Sequence, residues 1–312
     1  MEVDVSIIIP TFNSSAFVTK AIDSAIASAT PFSYEIVIVD DKSDDLDDLR
    51  RLISSVGNVV LVEKSAKGTA SESRNIGLQR ACGAVVFFLD SDDMFLVDHI
   101  SNRVGLHKSS AAGIVFGDYL VQSCDQISAG RVPRYSGEDM RAYLFEKCGD
   151  VRSSTISIAR SQFRGTLFDP LQAKHQDWGF AIRAFDGNET VAFDERRTVI
   201  LSEVANAHRM SCRLNIAASA YFVEAYVKEG QHMMAFAASH LLLAIRTKDK
   251  AAVLFLRELM FSARRRATQG KWIRFLALVL ATVLPGTAFS AGMLEFHQLI
   301  KRTLAQWQAE HT

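Results

Sequence analysis

Four short apolar runs constrain this chain more than any other feature: residues 5–9 (VSIII), 35–39 (EIVIV), 59–62 (VVLV) and 85–89 (VVFFL). They are short and rich in β-branched and aromatic side chains, so they read as strands. A strand with one wet face alternates apolar and polar residues. These runs barely alternate, so both faces are covered, as in a parallel sheet between layers of helices. The intervening stretches 15–29, 44–56 and 71–81 supply those helices. Ser15 is the expected cap of the first, Gly83 the stop after the third, and Pro10 the end of the first strand.

Sheets of this kind bind ligands at the carboxyl ends of their strands. The first strand ends there in Pro10-Thr11-Phe12-Asn13, the second in Asp40-Asp41, and the fourth in Asp90-Ser91-Asp92-Asp93. Crowded carboxylates repel one another, and a hard divalent cation relieves that repulsion. Mg²⁺ and Mn²⁺ prefer oxygen ligands, keep several waters and often share themselves with substrate phosphates. Taken alone, the acidic cluster fits equally well as a turn entering a helix, where negative charge is favourable.

Beyond residue 105 the pattern changes. Residues 113–119 and 155–158 read as further strands, and 217–228, 233–246, 251–266 and 292–308 as helices. The expectation is an α/β, Rossmann-like unit over residues 1–215, mostly parallel and covered on both faces, followed by a helical region over 216–312. A hydrophobic content of 48% is ample for that core, and 35 basic residues balance 35 acidic ones, which argues against a general nucleic-acid binder. The four cysteines, Cys82, Cys124, Cys148 and Cys212, form no CxxC pair, which favours a reducing compartment. The N-terminus reads as a first strand rather than a signal peptide. Residues 275–294 carry no charge, are broken by Pro285-Gly286 and are flanked by Arg264, Arg265, Arg266, Lys271 and Arg274 before and Lys301 and Arg302 after. A buried hairpin or peripheral contact with a membrane surface fits this stretch better than a crossing.

Six segments in order, "VSIIIPTFN" (5–13), "EIVIVDDKS" (35–43), "SRNIGL" (73–78), "FFLDSDD" (87–93), "HQDWGF" (175–180) and "HRMSCR" (208–213), make the chain resemble a family 2 glycosyltransferase of the GT-A fold. The resemblance implies a role for each matching position. Pro10, Thr11, Asn13 and Asp41 should hold the base and ribose of a nucleotide-sugar, with Arg74 lying over the nucleotide. Asp90 should face the ribose or a metal-bound water, and Asp92 should bind Mn²⁺ or Mg²⁺. Asp177 fills the position of the catalytic base. His208 matches a further metal ligand and Arg209 a diphosphate contact.

Independent chemistry points the same way. A departing diphosphate needs charge stabilisation, and an acceptor hydroxyl needs a carboxylate within hydrogen-bond reach. Trp178-Gly179-Phe180 after Asp177 could exclude water and raise its basicity. One base and no candidate nucleophile on the opposite sugar face imply inversion. Glu138 and Asp139 are the next carboxylates to consider as the base. Two positions depart from the family pattern. Lys42 stands where the family has glycine, which adopts positive φ without cost, and Gln176 replaces an acidic residue. The alternative is a degenerate sugar-nucleotide or glycan-binding protein, for which Lys42 is the best support. A nucleotidyltransferase would want a Gly- and Arg/Lys-rich phosphate loop, and residues 10–13 are not one. The expected acceptor is a glycan or lipid-linked glycan of the cell envelope, reached from the cytoplasmic face of the plasma membrane.

Overall fold

The structure, a computed structural model, describes residues 3–123, 126–130, 132–202 and 214–264. A seven-stranded sheet runs in the order β10-β6-β9-β4-β1-β2-β3. It comprises β1 (Val5–Thr11), β2 (Tyr34–Asp40), β3 (Val59–Glu63), β4 (Val85–Phe88), β6 (Ile114–Gly117), β9 (Ser157–Ala159) and β10 (Val191–Asp194). All pairings are parallel except those of β9, which runs antiparallel between β4 and β6. The mostly parallel α/β architecture expected from the sequence is the one observed. Pro10 does not end β1. It pairs with Val39 of β2, while the ladder to β4 already stops at Ile8↔Phe88, so no donor is needed from it on that side.

The two faces of the sheet are covered by different helices. Ile7, Ile9, Ile36, Ile38, Phe87 and Leu89 pack with α1 (Val18–Ala29), α2 (Leu46–Ile53) and α4 (His99–Ser110). Ile8, Val37, Val39, Val86 and Phe88 face α3 (Ala70–Arg80) and α5 (Gln176–Asp186). α1 starts at Val18, later than expected, so Phe17 rather than Ser15 occupies the cap position and no side chain caps the helix. Thr69 and Glu72 form a full capping box on α3.

A second sheet, order β5-β11-β7-β8, is built from β5 (Met94–Phe95), β7 (Leu120–Ser123), β8 (Gln126–Ala129) and β11 (Val199–Ser202). Its strands are two to four residues long, too short for periodicity to announce them. α6 (Ile216–Tyr226), α7 (Gly230–Arg246) and α8 (Lys250–Arg264) follow. They join the cluster on the α5 side of the sheet: Phe222, Phe236, Leu241 and Leu256 are buried with Phe145, Phe168 and Phe180. Among the described residues no helix is long and apolar enough to cross a membrane. Residues 275–294 and the helix expected at 292–308 lie outside the described residues.

Candidate active site

The carboxyl ends of β1, β2 and β4 lie side by side, as parallel neighbours must. At the end of β1, Thr11 Oγ1 donates to Asp40 Oδ1 at 3.2 Å. Asn13, with φ 49°, stitches the β1 and β2 loops together: its amide reaches Ser43 Oγ at 2.9 Å, and its Oδ1 accepts from the Asp44 amide at 2.8 Å. Phe12 is 41% exposed at this edge, with the Lys67 ammonium over its ring.

The β2 end is a buried ionic knot. Asp41 accepts from Lys64 Nζ at 2.6 Å and from the Gly68 amide at 2.8 Å, and Lys64 also reaches Glu72 at 3.0 Å. Burial works against the charge on Lys64, but its hydrogen bonds to Asp41 and Glu72 outweigh it and hold its pKa above the ordinary lysine value. Lys64 was not expected from the sequence. Lys42 is exposed and has φ 61°, so the loop keeps the left-handed turn with a non-glycine residue.

The β4 end joins this edge to α5. Arg74 is 4% exposed and bridges the two, with Nη2 donating to Asp90 Oδ1 at 2.6 Å and Nη1 to Gln176 Oε1 at 2.9 Å. Burial opposes its charge, but Asp90, Asp177 and Asp93 outweigh that and keep it firmly protonated. Arg74 Nε is buried with no hydrogen-bond partner among the described residues. Gln176, the neutral substitute for an acid, therefore serves as an acceptor for Arg74.

Asp93 is nearly enclosed, accepting from Ser154 Oγ at 2.6 Å and from the Ser202 amide at 3.0 Å. Burial, then repulsion from Asp90 and Asp92, push its pKa well above the carboxylate range. Asp93 is thus occupied structurally, and the half-buried Asp90 and Asp92 stand beside it. One or two carboxylates suffice for a hard cation that also takes substrate phosphate oxygens and water, and the repulsion felt by Asp93 marks a spot where positive charge is favourable. The residues present fit Mn²⁺ or Mg²⁺ in that open manner. No closed cage of three or more His, Cys, Asp or Glu exists among the described residues. His208 and Arg209 lie outside the described residues.

Asp177 opens α5, whose preceding residue His175 has φ 59°. Its Oδ1 accepts from Ser153 Oγ at 2.5 Å. Burial raises its pKa, Arg74 opposes this, Asp90 adds to it, and Ser153 and Arg152 oppose it; the net direction is upward. Trp178 packs against Phe145, His175 and Phe222. Its indole Nε1 donates to Asp150 at 2.8 Å, and Asp150 also holds Tyr119 Oη at 2.6 Å and Arg152 Nε at 2.7 Å. The reserve carboxylates are otherwise engaged: Glu138 is paired with Lys147 at 2.6 Å, and Asp139 accepts the Arg141 and Ala142 amides. Ser153 and Ser154, which touch three of the acidic residues between them, carry no sequence signal beyond being small and polar.

The sheet gathers its acids at the strand ends, with Asp177 at the start of a helix beside them, and residues 6–183 match the model "Glycosyl transferase family 2". The chain belongs to that family. A curated relative, the amylovoran biosynthesis glycosyltransferase AmsB of Erwinia amylovora, is 28% identical over 196 residues, covering 59% of this chain and 64% of that protein. The chain thus matches just under two thirds of that relative's length. Among solved structures, Staphylococcus aureus TarS 1–349 in complex with UDP-GlcNAc aligns at TM-score 0.59 and 16% identity over 83% of this chain and 79% of that one. The mannosyltransferase PcManGT of Pyrobaculum calidifontis, in complex with GDP-Man and Mn²⁺, aligns at TM-score 0.52 and 16% identity over 97% and 87%. At that identity the two structures speak for the fold.

Proposed function

We propose that this protein is a metal-dependent inverting glycosyltransferase that moves a sugar from a nucleotide-sugar, most simply a UDP-sugar, to an acceptor hydroxyl in cell-envelope glycan synthesis. One observation carries the reading: buried Arg74 ties Asp90, at the end of β4, to Gln176 beside Asp177, so donor-side acids and a single base share one edge. Asp41, Pro10, Thr11 and Asn13 line the nucleotide end of that edge. Asp92, with Asp90 beside it and His208 as the family resemblance implies, would hold Mn²⁺ or Mg²⁺. Bound there, the cation stabilises the charge of the departing nucleoside diphosphate. Asp177 takes the acceptor proton as the hydroxyl attacks from the opposite side, and its raised pKa makes it a stronger base than an exposed aspartate. The name of AmsB supports a polysaccharide acceptor, and the ligands of TarS and PcManGT support a nucleotide-sugar donor. Residues 216–312 form the acceptor-side region in this reading, with the basic, uncharged-centred tail giving peripheral contact at the cytoplasmic membrane face.

Lys42 was the strongest argument for a degenerate site, and its retained left-handed turn removes that argument. The reading is tested by titrating UDP in the presence of Mn²⁺. Asp92→Asn should abolish the metal-dependent part of binding and leave the unfolding midpoint in place. Unchanged affinity would take Asp92 out of the metal site. A screen of UDP-, GDP- and dTDP-sugars with Mn²⁺ then names the donor, and no turnover with any of them returns the degenerate-site reading.

A further inference from the structure

Between β6 and β9 the chain makes a 3-10 turn, Ser153–Thr155, that lies outside the six sequence segments on which the resemblance was drawn. It sits at the site because β9 runs antiparallel beside β4, so the start of β9 meets the acid-bearing end of β4. The turn is rigidly placed. The Phe88 amide of β4 donates to Ile156 O at 3.2 Å, and the turn closes on itself through Thr155 N to Arg152 O at 2.8 Å and Ile156 N to Ser153 O at 2.9 Å. From the far side Arg103, fully buried, donates Nη1 to Thr155 O at 2.9 Å, while its charge is met by Asp194 at 3.1 Å.

Two adjacent hydroxyls project from this turn in different directions. Ser154 Oγ receives the Asp90 amide and donates to Asp93, fixing the acidic loop. Ser153 Oγ donates to Asp177 Oδ1. Asp177 is half-buried, and its Oδ2 has no hydrogen-bond partner among the described residues.

We propose that Ser153 is a positioning residue for the transfer reaction: its hydroxyl pins Oδ1 of Asp177, keeps that carboxylate ionised, and leaves Oδ2 as the atom that receives the acceptor proton. This rests on the reading of Asp177 as the base. The reasoning is chemical. A carboxylate in a buried site rotates and protonates unless something fixes it, and a donated hydrogen bond favours the charged form. Among the described residues, the charged groups that act on Asp177 are Arg74 from α3, Asp90 from the end of β4 and Arg152 from the residue before the turn. Arg74 is committed to Asp90 and Gln176, and Arg152 to Asp150, so neither sets the orientation of Asp177. On α5 itself Gln176 is neutral, and His175 is kept neutral by burial, its pKa pushed down to about 2. Ser153 alone among the described residues bonds the carboxylate directly.

The sign of the effect is fixed. Removing the donor raises the Asp177 pKa, so the acidic limb of the rate profile moves to higher pH. The variant then loses most at low pH and recovers as pH rises.

The test is a carboxyl ¹³C titration of the full-length chain labelled at aspartate, with Asp177→Asn identifying the resonance. Ser153→Ala should raise the Asp177 midpoint by about one pH unit, a roughly tenfold loss of ionised base on the acidic side. Ser153→Thr, which keeps the hydroxyl, should stay near wild type, and Ser154→Ala should leave the Asp177 midpoint in place. If Ser153→Ala does not fold, Ser153→Cys, near in size and a weak donor, carries the same upward expectation. With the donor that turns over in the nucleotide-sugar screen and water as acceptor, kcat should follow the same pH shift while donor KM holds. A Ser153→Ala midpoint and pH profile equal to wild type, with Asp177→Asn inactive, overturns the positioning role and leaves the base. An active Asp177→Asn overturns the base first and this proposal with it.

Discussion

Lys42 shows how a single residue can look wrong in a sequence and be right in a fold. Glycine serves such a turn because φ near 60° costs it nothing, whereas an L side chain pays about 1–2 kcal/mol there. Lys42 takes that conformation with its side chain exposed. The loop is over-determined by its neighbours: Ser43 donates both its amide and its hydroxyl to Asp40, and Asn13 grips Ser43 and Asp44. Lys42→Gly should therefore fall within about 1 kcal/mol of wild type, since relief of strain offsets the extra freedom of the unfolded chain. Lys42→Ile should cost about 1–2 kcal/mol, because a β-branched residue tolerates positive φ least. Urea unfolding of the two variants decides it, and an Ile variant as stable as the Gly variant would mean that the turn had changed. The clustered carboxylates were legible in the sequence because like charges crowded at strand ends demand an explanation. Ser153, Ser154 and Lys64 were not, because their importance comes from what the fold brings beside them.

Helix α3 illustrates the same division one level up. The strand and helix pattern of the first hundred residues was legible because each element is long enough to show its period, and because apolar strands permit few other arrangements. The small second sheet was not, since strands of two to four residues have no period to read. Nor does sequence explain why α3 carries Gly77 at its centre, where glycine weakens a helix by about 1 kcal/mol relative to alanine. The structure does: a Cβ there would lie far inside contact distance of Ile8 Cγ2, in the middle of β1. Gly77 is what lets α3 lie close on the sheet, which in turn places Arg74, one turn earlier, against Asp90. Gly77→Ala should gain helix propensity and lose more to overpacking, for a net cost of about 1–2 kcal/mol. Pairing it with Ile8→Ala, which removes the Cγ2 and Cγ1 that the new methyl would meet, should recover part of that loss, so the double variant unfolds at higher urea than additivity allows. Strict additivity would mean that the two side chains do not meet.

At the scale of the whole molecule, the sequence suggests a boundary near residue 215, where strands give way to helices. Side chains pack across it. His175, the residue that introduces α5, is packed against Phe222, Phe236 and His240, and its Nε2 meets Ser219 Oγ at 3.0 Å. Phe145 lies against Phe222 and Phe236 as well, so α6 and α7 complete the packing behind α5. Each large apolar side chain exposed by their removal forfeits about 1.5–3 kcal/mol. Phe145, Trp178 and Phe180 together therefore put a large share of a typical 5–15 kcal/mol of stability at risk. A chain ending at residue 215 should fail to unfold cooperatively and should aggregate, whereas one ending at 264 keeps every described helix and should unfold in urea as a single transition. The two fragments separate the views cleanly. If the shorter one folds within about 2 kcal/mol of the longer, a small fraction of that stability, the helical region is an independent unit appended to the sheet. If only the longer one folds, the C-terminal helices are part of the catalytic core. Substitutions at Phe222 or Phe236 should then lower kcat through α5 without touching the nucleotide end of the site.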